Sequence, residues 1–98
     1  MTTRTLFIGM DGSTFTILDQ LVQGPDPVMP FLAERMPKAA RGVLRSTANP
    51  LTPPAWVSLM TGRNPGHHGI FDFLRSREIG GELYTELSSA LDCRCEMI

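Results

Sequence analysis

Thr5-Leu6-Phe7-Ile8-Gly9-Met10-Asp11-Gly12-Ser13 runs from an apolar stretch directly into a turn. A short apolar run bounded by polar residues reads as a buried parallel strand, because a strand covered on both faces has no polar alternation. The run stops at Asp11-Gly12. Beyond it, Ser13 and Thr14 are N-cap residue types, and Phe15, Leu18 and Leu21 or Val22 recur at helical spacing until Gly24-Pro25. Strand, turn and helix in that order open an α/β unit.

Further out, Pro30 at a first helical position predicts a short helix through Met36, closed by Pro37. Arg41 to Thr47 reads as a second strand centred on Val43 and Leu44. Asn49-Pro50-Leu51-Thr52-Pro53-Pro54 is a loop that runs into a helix from about Pro53 to Thr61, with Thr52 as its N-cap and Gly62 just past its end. Arg63 to Gly69 is turn chemistry, Gly80-Gly81 is a second break, and Leu83-Tyr84-Thr85 is a short strand. No repeat, low-complexity tract or interdomain linker interrupts the chain.

Length and charge exclude more than they assign. Ninety-eight residues make one domain at most, or part of one, and 42% apolar content is globular rather than disordered. Nine basic residues, eight of them Arg, face ten acidic ones and are scattered, so no nucleic-acid patch is expected. The opening apolar run is too short for a signal peptide or a membrane span, which makes the cytoplasm the expected compartment and a membrane an unexpected partner. Cys93 and Cys95 are too close for ordinary disulfide geometry and too few for a zinc site, so reduced thiols are expected.

Three places carry chemistry. Asp11 stands at the carboxyl end of the first expected strand, where open α/β sheets bind ligands, and its carboxylate is a hard donor for Zn²⁺, Mg²⁺ or Mn²⁺. The plain alternative is an Asx-turn or a helix cap. Thr52 puts a hydroxyl at the positive end of a helix, among unpaired N–H groups, which favours an oxyanion or a phosphoryl group. As a nucleophile it needs a metal to stabilise its alkoxide; the plain alternative is an ordinary N-cap. Adjacent His67 and His68 point different ways and seldom chelate one metal, so one of them is expected to cap or hydrogen-bond the turn. Two other patterns fail. Gly9-x-x-Gly12 lacks the Lys and the glycine spacing of a phosphate loop, and Gly9 occupies the place of the nucleophilic Asp in haloacid dehalogenase-like phosphatases.

The ordered set of the apolar run with Asp11-Gly12, then Gly42-Val43-Leu44-Arg45-Ser46-Thr47, then Thr52-Pro53-Pro54-Ala55-Trp56-x-Ser58-Leu59-x-Thr61-Gly62-x-x-Pro65-x-x-His68-Gly69-Ile70 resembles the alkaline phosphatase superfamily. It is most similar to the type I phosphodiesterase/nucleotide pyrophosphatase branch, from about Leu6 to Phe73. The resemblance implies the amino-terminal part of a three-layer α/β/α sandwich around a mixed, mostly parallel sheet. It implies Asp11 as a metal ligand and Thr52 as both nucleophile and metal ligand. It also implies two divalent metal ions, usually zinc, a small-molecule phosphoester substrate, and in-line attack through a phosphothreonine.

Departures qualify the match. Nucleotide pyrophosphatases carry Asn three residues after the nucleophile, where this chain has Ala55, so nucleotide specificity is not implied. Sulfatases carry Cys or Ser as nucleophile and Arg four residues later, where Thr52 and Trp56 stand, and a second Asp where Gly12 stands. The family's other metal ligands lie far downstream, so residues 1–98 are expected to be a truncated, inactive portion of the catalytic domain. The competing expectation is a small non-catalytic α/β binding module that retains the scaffold.

Overall fold

The computed structural model describes residues 2–98. They form two compact units, one ending at Val43 and the other running from Leu44 to Ile98.

In the first unit, helix α1 spans Phe15–Leu21, with Thr14 as an extended N-cap and Leu18 as its buried residue. Helix α2 spans Pro30–Arg35 and begins on the proline that the sequence marked; a 3-10 turn at Met36–Lys38 continues it through Pro37. The Met29 amide donates to the Leu21 carbonyl at 3.1 Å, joining the end of α1 to the start of α2. Phe15 and Asp19, four residues apart, share one face of α1, and Arg41 closes on that face. Its guanidinium makes two hydrogen bonds to Asp19, at 2.9 and 2.7 Å, and stacks 3.9 Å from the Phe15 ring centroid. Paired donors and a planar cation over a ring suit Arg better than Lys.

The second unit starts with helix α3, Thr52–Thr61, which ends on Gly62 in the left-handed region. One-turn helix α4, Pro65–His68, follows, capped by the Asn64 side chain accepting from the His67 amide. Strands β1, Leu74–Ile79, and β2, Glu82–Leu87, pair antiparallel from Leu74↔Leu87 to Ile79↔Glu82. Gly80 and Gly81 both have positive φ, 63° and 86°, the requirement of a two-residue type I′ turn whose twist matches the strands. Arg75 lies across from Glu86, with their charged groups 2.6 Å apart, and also bridges to Asp92 in the 3-10 turn Ala90–Asp92.

Two expected strands do not form. Thr5–Met10 and Arg41–Thr47 form no regular element and pair with nothing among the described residues, whose only sheet is the β1–β2 hairpin. Leu6 is 81% exposed, Ile8 70% and Val43 88%. The reason is that a strand is a property of a pair: a parallel strand needs neighbours at ladder distance, and its apolar side chains need helices over both faces. The third expected strand, Leu83–Thr85, lies within β2. Among the described residues the chain is therefore a small α/β chain of four helices and a two-stranded antiparallel sheet. Its cores are small. Among the described residues, Leu18 is the buried hydrophobic residue of the first unit and Ile70 that of the second, where Pro54 and His68 are also fully buried.

Candidate active site

Asp11 occupies the turn before α1 and is exposed. Its carboxylate accepts no hydrogen bond among the described residues. The turn is closed instead by the Thr14 amide donating to the Gly12 carbonyl at 3.0 Å, and Thr14 stands at the N-cap of α1 without a side-chain bond. Neither an Asx-turn nor a cap occupies Asp11, so its oxygens are unspent.

Thr52 is the first residue of α3 rather than its N-cap. The cap is Leu51, in extended conformation, whose carbonyl accepts from the Ala55 amide at 3.1 Å. The displacement by one residue changes the chemistry at the helix mouth. An α-helix leaves its first amides unpaired, but Pro53 and Pro54 have none to offer. Of the several N–H groups expected there, one remains: the amide of Thr52, which has no partner among the described residues. The Thr52 hydroxyl is half-buried and makes no capping bond. What faces a ligand at this end is one hydroxyl, one amide and the positive end of a ten-residue helix dipole.

A cavity of about 590 Å³ runs along α3, lined by Leu44, Arg45, Trp56, Ser58, Leu59 and Arg63 among others. Neither Thr52 nor Asp11 lines it.

The two histidines separate in role, as adjacent side chains must. His67 is exposed, with its Nδ1 3.1 Å from the Asn64 side-chain oxygen. His68 is fully buried: its Nδ1 accepts from the Ile70 amide at 3.1 Å, and its Nε2 lies 2.9 Å from Ser58 Oγ. Burial holds the His68 pKa below the ordinary imidazole value, since the charged form loses hydration it cannot replace. The expectation that one histidine hydrogen-bonds the turn is met by His68. Its link to Ser58, ten residues earlier on α3, has no signature of spacing and emerges only from the packing of α4 against α3.

Among the described residues, no three or more His, Cys, Asp or Glu side chains stand close enough to hold a metal ion. Asp11 belongs to the first unit and Thr52 to the second. Cys93 and Cys95 are free thiols, as expected, with the Cys93 thiol directed at the Cys95 carbonyl at 3.2 Å. No helix among the described residues is long and apolar enough to cross a membrane.

A family model for type I phosphodiesterase/nucleotide pyrophosphatase matches residues 5–89. No curated protein and no solved structure matches the chain. The matched stretch takes in the apolar run before Asp11, the whole of α3 and the β1–β2 hairpin.

Proposed function

The chain belongs to the type I phosphodiesterase/nucleotide pyrophosphatase family, and from that membership we propose that it carries Thr52 as nucleophile and Asp11 as first metal ligand of a metal-dependent phosphoester hydrolase. The observation that carries this reading is that both groups are unspent. The Thr52 hydroxyl sits at the start of α3 with no capping bond, and the Asp11 carboxylate accepts nothing among the described residues.

In this reading Thr52 Oγ1 attacks phosphorus in line with the scissile ester bond of a small phosphoester. The Thr52 hydroxyl gives up its proton to solvent as the Oγ1–P bond forms and the P–O bond to the leaving group breaks, and the departing alkoxide takes up a proton from solvent. Water then cleaves the Oγ1–P bond and regenerates the hydroxyl. The Thr52 amide and the helix dipole favour negative charge at that position, though with fewer donors than a proline-free helix start would offer. A divalent cation, zinc in the family pattern, supplies the charge that makes a threonine hydroxyl nucleophilic at neutral pH.

The described residues do not complete a site for that ion. Catalytic zinc takes three protein ligands, and Asp11 and Thr52 are two. The reading therefore requires ligands from outside residues 1–98, and with them sheet strands. Thr5–Met10 and Arg41–Thr47, neither of them paired among the described residues, become inner strands of a mostly parallel sheet in a three-layer sandwich. Two measurements test it. The purified 98-residue chain is expected to hold no stoichiometric zinc in equilibrium dialysis and to hydrolyse no activated phosphodiester; retention of one equivalent of zinc overturns the dependence on outside ligands. In a longer chain that completes the site, Thr52→Ala abolishes hydrolysis and Asp11→Ala weakens metal binding. Unchanged turnover in the Thr52 variant removes the nucleophile.

A further inference from the structure

We infer that Asn49, Ser58 and His68 are positioning residues that fix the start of α3, and with it Thr52, and that His68 acts as a neutral imidazole with its proton on Nε2. What Thr52 does chemically rests on the function proposed above; how it is held does not.

Two anchors flank Thr52. Ahead of it, the Asn49 side-chain amide donates to the Phe71 carbonyl at 3.0 Å. The Asn49 carbonyl accepts from the Thr47 hydroxyl at 2.6 Å and from the Leu51 amide at 2.8 Å. Leu51 in turn receives the first backbone bond of α3, from Ala55. Behind it, Ser58 meets His68 at 2.9 Å. Both anchors end on one short stretch, His68 to Phe71. That stretch contains the two buried residues His68 and Ile70, and the Arg94 amide secures it by donating to the His68 carbonyl at 3.0 Å. The first backbone bond of α3 is the one from Ala55 to Leu51, so the segment ahead of it is held by these side-chain ties.

The hydrogen bonds also determine the tautomer. The Ile70 amide is a donor, so His68 Nδ1 must offer its lone pair, and in a neutral ring the proton is then on Nε2. His68 therefore donates to Ser58 Oγ. It has no free lone pair for a metal or for the Ser58 proton, so a serine beside a histidine is here a tie and not a nucleophile with its base.

The experiment needs no catalytic activity. Long-range ¹⁵N–¹H correlation on the unmutated 98-residue chain is expected to show His68 as the Nε2–H tautomer at pH 7; an Nδ1–H tautomer overturns the inference. Asn49→Ala and Ser58→Ala are each expected to speed exchange of the Ala55 amide about tenfold, the equivalent of one lost hydrogen bond. The β1–β2 amides should keep their protection and so report that the unit is folded. His68→Gln, which keeps an N–H within reach of Ser58, should restore most of the protection lost in His68→Ala. Unchanged Ala55 exchange in both alanine variants, with the hairpin intact, overturns it. If a variant unfolds, the tautomer measurement decides. A nucleophile shown not to be Thr52 would leave all these readouts standing.

Discussion

Protonating His68 would set an Nδ1–H against the Ile70 N–H, two donors at 3.1 Å with no acceptor between them. The folded state accordingly binds this proton less readily than the unfolded chain, and the direction of the pH effect follows. Above the unfolded imidazole value of about 6.5 the contribution is complete. As pH falls below that value the unfolded state takes up its proton first, and stability drops until the folded-state pKa is passed. Urea midpoints are expected to fall between pH 7.5 and 5.5, with a shallower fall in His68→Gln. Next to it, Gly69 has φ +83°, and a Cβ there would lie 3.1 Å from Arg94 Nε. Arginine can shift but the backbone angle cannot, so Gly69→Ala is expected to cost about 1–2 kcal/mol in the same assay. Little of this was legible in the sequence. The His-His pair announced that one ring would hydrogen-bond the turn, but the Ser58 partner depended on a helix crossing that no spacing encodes.

Helices and strands fared differently, for one reason. Helix signals are local, so α1, α2 and α3 lie within a residue or two of where caps, prolines and apolar spacing put them. The one-residue error at Thr52 was still consequential, because it exchanged a cap for a first-turn residue. Strands depend on partners. The two runs expected as inner strands, Thr5–Met10 and Arg41–Thr47, are unpaired among the described residues, whereas Leu74-Arg75-Ser76-Arg77-Glu78-Ile79, polar through its middle, forms β1 through cross-strand pairs such as Arg75–Glu86. The signal that would have found it was Gly80-Gly81, two residues with no restriction on φ between potential strands. Gly80→Asn should therefore be tolerated and Gly80→Val should cost about 1 kcal/mol or more, read from protection of the β1–β2 amides. In the first unit, the Arg41 guanidinium hydrogen-bonded to Asp19 holds that carboxyl below the usual carboxylate value. Following the Asp19 carboxyl by ¹³C NMR should give a midpoint that returns toward 3.8 in Arg41→Ala.

At the scale of the whole chain, the exposed apolar run ahead of Asp11 has consequences of its own. Leu6, Phe7 and Ile8 are each worth about 1.5–3 kcal/mol when buried, yet all three are exposed on a segment with unpaired backbone edges. Such a segment is a template for pairing with another chain. The purified chain is expected to self-associate as concentration rises, and Ile8→Lys to suppress this, as measured by light scattering. Unchanged association in that variant would locate the contact elsewhere. Asp11 and Thr52 were readable as candidates from local signals, although the run before Asp11 forms no strand and Thr52 is a first-turn residue rather than the cap. The joint role proposed for them rests on the family match. Pro53 and Pro54 have an effect that begins before the chain folds. Each ring already holds φ near −65° in the unfolded ensemble, so ordering the first turn of α3 sacrifices less conformational entropy than it would for two ordinary residues. The backbone immediately after Thr52 is therefore stiff in both states, whatever the rest of that helix end does.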